Sequence, residues 1–420
     1  MKNFAEIVVS ENLEKLANKL KSKAELFIVG GYVRNCLLGI GGTDIDLASK
    51  LTVDRLAEIL QGSNFVVEIK NQKLGTAKIS IGNESYEYST FRIENYDNSG
   101  KHSPVVVEFV DDIRQDARRR DFTINAIYYS LTRKKIVDIY SGLYDLKKKR
   151  VKTIETPEFV FSCDGLRILR MIRISSELGF GIEKNTYNVA RKMSYKLKDI
   201  TGIRKQQELE LILNANKKYS ISKNNAHIKA LVLFNKINLW SSFYCNVSKI
   251  KLCMTKRVKA NKICAMFIDI IKTVDPDDVS MYLEEMLGEK GLGYSNKQKD
   301  FIKNVVCGYF DAIKKLNNKN YFFKYYENFD KIKVFIAKNN IFLYNNYNFF
   351  YKYITNYNIP ITIKDLCVNG DDIKKCRPRL AEKHYGKLLN ELLNKVFDGE
   401  VNNTKEELIR EIKTYDYRNN

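Results

Sequence analysis

The order of apolar and polar positions divides the chain into two unlike parts. Up to about Asp145, short apolar or alternating runs dominate. Leu26-Phe27-Ile28-Val29 is a compact apolar strand closed by Gly30-Gly31. Tyr32 to Leu38 follows at helical spacing and stops at Gly39. Asp44 to Ala48 reads as a strand and Leu51 to Leu60 as a helix. Thr76 to Ile81, Ser85 to Phe91 and Val105 to Val110 alternate or are β-branched, as half-buried strands do. Beyond about Lys147 the period becomes helical: Phe159 to Leu178, Tyr187 to Leu197, Ile203 to Leu213, then further amphipathic helix rich in Lys, Asn and aromatic residues. The expected fold class is α+β, an N-terminal domain with a mixed sheet followed by an all-α remainder.

Length and composition narrow the picture. A chain of 420 residues has room for two to four domains. With 44% hydrophobic and 29% charged residues it is globular rather than disordered. No apolar run approaches the roughly 18 residues of a membrane span, and Met1 to Ser10 lacks the apolar core of a signal peptide. The eight cysteines are scattered, with no CxxC pair, and there are only three histidines, His102, His227 and His384. That is neither a disulfide framework nor a zinc site, and it points to the cytoplasm.

Charge changes the picture more. Lys and Arg number 71 against 50 Asp and Glu, a net charge of +21. The excess is concentrated: Leu211 to Ile268 holds no acid and eleven bases, among them Lys249, Lys251, Lys256, Arg257, Lys259 and Lys262. Such a segment is suited to a polyanion held by phosphate contacts, and those six residues are candidate RNA contacts.

The chemistry is expected near the N-terminus. Phe27 to Gly39, followed by Gly42-Thr-Asp-Ile-Asp-Leu-Ala48, sets a Gly pair (Gly30, Gly31) between a strand and a helix, where backbone N–H groups face a phosphate. Asp44 and Asp46 are two apart and share one face of a strand. Two close carboxylates repel unless a cation lies between them, and two Mg²⁺ ions serving nucleotidyl transfer are the natural partners. Arg119 and Arg120 are fixed cations suited to a triphosphate. Asp121 and Asn125, four apart, would share a helix face and meet a ribose.

These segments resemble a known family. GGYVRNCLLG with DID, residues 30–39 and 44–46, is similar to the first motif of the polymerase-β-type nucleotidyltransferases, in the branch of class II tRNA nucleotidyltransferases and bacterial poly(A) polymerases. Arg34 falls inside that motif, and Asn35 replaces its usual Asp. Asp116 to Ala126 resembles the family's D-x-x-RRDFTINA block. Tyr86 to Arg92 looks like the strand carrying a third carboxylate, which would be Glu87. Phe91 to Pro104 looks like the mobile loop of full CCA-adding enzymes, and Asp138 to Asp145 resembles the turn closing the catalytic domain.

Cys163 to Arg173 with Glu177 to Phe180 resembles the EDxxR…LGF block, with Cys163 in place of a usual Glu. Asp164 and Arg167, three apart and thus neighbours on a helix, could read a base edge. Cytosine and adenine both show an amino donor beside a ring-nitrogen acceptor, which an Asp acceptor and an Arg donor match; uracil and guanine show the reverse. Arg170 and Arg173 extend the row. Arg204 to Leu213 looks like the family's R-x-x-x-E-L helix, with Arg204 and Glu208 bracing the neck against the head in a structural role. Residues 363–370 and 386–393 resemble the tail of bacterial CCA-adding enzymes.

The resemblance implies a catalytic head at 1–145, a base-reading neck at 146–215, an RNA-binding body at 216–310 and a tRNA-binding tail at 311–420. It implies addition of C, C and A to tRNA from CTP and ATP with Mg²⁺. A poly(A) polymerase, a CC-only or A-only enzyme, or an inactive RNA-binding protein remain open at this point.

Overall fold

The computed structural model describes residues 5–42, 44–96, 104, 106–215, 225–244, 247–257, 261–314, 325, 328–338, 341–356, 359–397 and 399–415. Contacts divide the chain into two compact units. The first comprises residues 1–256, 269–276 and 285–294, and the second residues 257–268, 277–284 and 295–420.

The first unit opens with helix α1 (Glu11–Leu20), capped by the Ser10 side chain and buried along Leu13, Leu16, Ala17 and Leu20. Strand β1 (Phe27–Val29) is buried throughout and leads into the two-turn helix α2 (Gly31–Leu37). Then come β2 (Asp46–Ser49), α3 (Val53–Leu60), β3 (Val66–Asn71), β4 (Thr76–Ile81) and β5 (Glu84–Thr90). A two-stranded ribbon of β6 (Arg92–Asn95) and β7 (Val106–Phe109) precedes α4 (Ile113–Arg118), β8 (Ile127–Ser130) and β9 (Lys135–Asp138).

Seven strands form one sheet in the order β3-β4-β5-β2-β1-β8-β9. β2 runs parallel to β5 and antiparallel to β1, so the sheet is mixed, as the alternating pattern predicts. Its centre is sealed by Phe27, Phe91 and Tyr128, with ring centroids 6.0 to 6.4 Å apart. Val66–Asn71, Ile127–Ser130 and Lys135–Asp138 were not anticipated as strands: the first is largely exposed, and the second is buried on both sides and shows no alternation. The ribbon carries the start of the segment expected as a mobile loop; residues 97–103 of that loop lie outside the described residues.

A short helix, α5 (Gly142–Lys147), then closes the sheet domain. Its entry is tight. Asp138 accepts from the backbone N–H of Gly142 (2.7 Å) and Leu143 (2.9 Å). Any Cβ at Gly142 would overlap the carbonyl oxygen of Thr123, so only glycine fits. Thr123 in turn donates to Asp145 at 2.7 Å, which pins the segment 121–125 against the turn.

The helical pattern from Phe159 to Leu178 is two helices, α6 (Pro157–Cys163) and α7 (Leu166–Leu178). Asp164, at φ −155° and ψ 109°, interrupts them. α7 is buried along nearly its whole length and packs on α9 (Gly202–Leu213), while α8 (Lys184–Lys192) packs on α6. In the second unit, helices Gly370–Cys376, Tyr385–Phe397 and Lys405–Thr414 converge on a core of Ile373, Leu388, Leu392, Leu408 and Ile412.

Candidate active site

The register of β2 sets the first group of side chains. Asp46 begins that strand and pairs with Glu87 on the parallel neighbour β5, so the two carboxylates project from the same face. Asp44 lies before the ladder rather than within it, next to Ile45, whose carbonyl accepts from the Glu87 N–H at 3.2 Å. The expected strand of Asp44 to Ala48 is thus shorter at its start. Gly30 precedes α2 at φ +83°, and a Cβ there would come within 2.9 Å of an Asp46 carboxylate oxygen. Glycine at this position therefore leaves both the turn and the carboxylate undisturbed.

Asp46 faces solvent but stands in a concave, atom-dense setting. Burial raises its pKa; Arg120 opposes that, and Glu87 and Asp44 raise it again, for a net increase. The anionic form is therefore under-compensated, which favours a cation. Among the described residues no three His, Cys, Asp or Glu side chains form a complete cage. A few carboxylates completed by water and substrate phosphates are what Mg²⁺ ordinarily uses, so this donor set fits that ion.

A second group is organised by Asp116, whose carboxylate is fully buried. It accepts from Arg119 (2.8 Å), Arg120 (3.0 Å) and the Tyr128 hydroxyl (2.6 Å). Burial pushes its pKa up, but Arg120, Arg119 and Tyr128 outweigh it and hold the carboxyl down to about 2. Arg119 is held again by Glu94, which also takes Arg92. This clamp is not anticipated from the sequence, although an Asp three and four residues before two arginines at the end of a helix is a recognisable spacing.

Asp121 and Asn125 do meet, but not across a helix face: the backbone is extended at Phe122 and forms a single 3₁₀ turn at Thr123–Asn125. Asn125 donates to Asp121 at 3.0 Å and accepts from Arg34 at 2.5 Å. Arg34 also donates twice to the Asn35 amide oxygen (2.9 and 3.1 Å), so Asn retains an acceptor where the family motif has Asp. Asp121 takes Arg170 at 2.8 Å. Burial raises the Asp121 pKa, and Arg170 with Asn125 and Arg167 reverses this, to about 2.

Asp164 and Arg167 are not neighbours on one helix, because the chain breaks between them. Each is held by a different group. Asp164 accepts from the backbone of Leu166 (3.0 Å) and from Arg204 (2.6 Å). Arg167 donates to the backbone carbonyl of Arg119 at 2.8 Å. Arg204 therefore faces this site through Asp164, while Glu208, the other residue expected to brace the neck against the head, takes Arg173 at 2.8 Å. Nothing local in the sequence marks Arg204 as the partner of Asp164, which lies forty residues away.

These groups share a cavity of about 310 Å³, lined by five arginines (119, 120, 167, 170 and 204) with Asp46, Asp121 and Asp164, Asn125 and the Gly pair. A second cavity, about 550 Å³, adjoins it through Gly31, Asp46, Asn125 and Arg170, and adds Tyr32, Arg34, Gly41, Gly42, Asp44 and Arg173. Asp46 stands between an arginine-rich chamber and a wider, less cationic one. Glu87 lines neither.

Residues 26–152 match the family described as Poly A polymerase head domain. The chain is a nucleotidyltransferase whose residues 26–152 resemble that head domain. A CCA-adding enzyme of Ligilactobacillus salivarius is 28% identical to this nucleotidyltransferase over 93% of this chain and 92% of its own. A second, from Staphylococcus epidermidis, is 26% identical over 96% and 97%. Among solved structures, the Bacillus stearothermophilus CCA-adding enzyme in complex with CTP has a TM-score of 0.71, with 21% identity over 95% of both chains. The Thermotoga maritima CCA-adding enzyme complexed with tRNA-CCA has a TM-score of 0.59, with 19% identity over 98% of this chain and 99% of that one. Both structures share its fold: a mixed-sheet head and a helical remainder.

The basic residues singled out as RNA contacts are divided by the fold of this nucleotidyltransferase. Lys249, Lys251 and Lys256 are exposed in the first unit. Arg257 and the half-buried Lys262 belong to the second unit, and Lys259 lies outside the described residues. No helix of the described residues is long and apolar enough to cross a membrane.

Proposed function

We propose that this nucleotidyltransferase adds C, C and A to the 3′ end of tRNA from CTP and ATP, releasing pyrophosphate. The observation that carries the reading is the single cavity in which five arginines, the carboxylate of Asp46 and the base-edge pair of Asp164 and Arg167 face one another. Full-length similarity to enzymes named CCA-adding supports it.

The triphosphate lies along Arg119 and Arg120, whose guanidinium groups are pre-oriented by Asp116 and so lose little freedom on binding. The base enters between Asp164 and Arg167. Asp164 keeps acceptor capacity beside its bond to Arg204 and takes the amino group of cytosine or adenine; Arg167 donates to the ring nitrogen. Uracil or guanine would set carbonyl against carboxylate and N–H against guanidinium. Asp121 and Asn125 hold the ribose end, and Arg170, fixed by Asp121, closes the side shared by both cavities. The acceptor 3′ end enters the wider cavity, on the opposite side of Asp46 from the arginines, which suits in-line displacement.

Asp44 and Asp46, with Glu87 adjacent, would hold Mg²⁺, which when bound would supply a lowered pKa for the attacking hydroxyl and charge neutralisation on the phosphates. The basic residues between Leu211 and Ile268 serve the phosphates of tRNA. The described cysteines are free thiols, in keeping with a reducing compartment, the cytoplasm.

The test is incubation with tRNA lacking CCA, tRNA ending in CC, and unstructured RNA, each with single labelled nucleotides. Stepwise C, C and A on tRNA alone supports the reading; long A tracts on unstructured RNA would replace it with poly(A) polymerase activity.

A further inference from the structure

We propose a second RNA contact, a pocket that accepts one unstacked nucleotide, on the side of α7 away from the arginine-lined cavity. It rests on tRNA being the substrate.

A cavity of about 420 Å³ opens between the C-terminal end of α7, the start of α8 and the helix Ala226–Ile237. Its exposed lining is mainly apolar, and none of its lining residues is acidic. Val232 and Leu233 form one wall and Tyr187 another. Ser176 lies in the lining, 2% exposed, and its buried hydroxyl has no hydrogen-bond partner among the described residues. Such a group is rare, because leaving it unpaired costs stability, and a ligand that approaches it recovers the bond.

The rim supplies the charge. Lys229 and Lys236 are both exposed, border the cavity, and lie two turns apart on one face of that helix, about 10 Å along its axis. They belong to the acid-free stretch from Leu211 to Ile268, so the neighbouring sequence offers them no carboxylate. An apolar slot with an aromatic wall, one internal hydroxyl and two cations at the mouth matches a nucleotide. The base enters against Tyr187, the Ser176 hydroxyl meets a polar edge, and the flanking phosphates lie on Lys229 and Lys236. The +21 net charge selects RNA over an uncharged amphiphile.

The experiment measures tRNA affinity of the full-length protein across a salt series, alongside CTP addition at saturating tRNA. The double substitution Lys229→Ala with Lys236→Ala should weaken binding and reduce the slope of log K against log salt by about 2, one per lost phosphate contact. Substituting Lys21→Ala with Lys23→Ala removes the same charge from the head and should leave affinity and slope near wild type. Val232→Trp, which fills the slot, should weaken binding roughly tenfold with the slope unchanged. Turnover at saturating tRNA should persist in every variant. Wild-type affinity and slope in the Lys229/Lys236 variant would overturn the proposal, as would losses equal to those of Lys21/Lys23. Absence of C and A addition by the wild-type protein would instead overturn the tRNA reading, so the two failures are distinguishable.

Discussion

Arg204 places a guanidinium nitrogen 2.6 Å from the carboxylate of Asp164, across a break between two helices. The pair is partly exposed in the cavity wall, so Arg204 orients the carboxylate that we propose reads the amino group of a base. Arg204→Ala should leave Asp164 free to rotate. Discrimination between CTP and UTP should fall by about 10- to 100-fold, the value of one oriented polar contact. Measuring kcat/KM for all four nucleotides checks this; equal losses for all four would mean Arg204 serves the triphosphate instead. Asp164→Ala should relax selection at least as far.

Asp44→Ala and Asp46→Ala should each lower nucleotide addition by 10³-fold or more, on the order expected when phosphate-charge stabilisation is removed. Binding of tRNA should stay near wild type. Single-turnover extension and filter binding on the same preparations separate the two effects. Activity within tenfold of wild type in either variant would remove that Asp from the mechanism.

In the metal-free protein Asp46 should titrate above an ordinary Asp, because burial and its acidic neighbours Glu87 and Asp44 raise its pKa. Glu87→Gln removes a negative neighbour, so the Asp46 titration followed by carboxylate NMR without Mg²⁺ should move to lower pH. An Asp46 titration that stays in place would dissociate Glu87 from Asp46, and the rate of addition with Mg²⁺ reports separately on any catalytic part for Glu87.

Asp116→Asn should destabilise the first unit by about 3–5 kcal/mol, because it leaves two part-buried arginines facing a neutral group. The pH dependence has a definite sign. Asp116 and Asp121 have folded pKa values near 2, below the unfolded value of about 3.9. Their stabilisation is present above the unfolded value and is lost as pH falls toward 2. Denaturant melts of the wild type should weaken over that window, and those of Asp116→Asn should weaken less. KM for CTP should also rise, since Arg119 and Arg120 lose their common anchor.

Gly142→Ala tests the turn behind the site. Its new methyl group would overlap the Thr123 carbonyl, so the segment 121–125 must shift. Stability should fall by about 1–3 kcal/mol, the usual cost of overpacking. KM for nucleotides should rise as well. Unchanged nucleotide KM alongside lowered stability would show that the shift is absorbed away from Asp121 and Asn125.

The sequence by itself determined the class of fold and the identities of most groups in the cavity. Period-two and period-3.6 patterning is a local property, and it marked β1, β4, β5 and the helical remainder. The spacing of Asp44 and Asp46, and the block from Asp116 to Asn125, are local as well, and they pointed to nucleotidyl transfer. Only the tertiary structure decided the partnerships. Glu87 reaches Asp46 through strand register, Arg204 reaches Asp164 through the packing of α9 on α7, and Arg34 reaches Asn125 across 91 residues. An ion pair gains its energy from distance in space, and sequence separation does not enter that energy. Helix breaks are similar: Asp164 leaves the helical pattern because two helices and Arg204 claim its backbone and side chain, and no single stretch of sequence records all three.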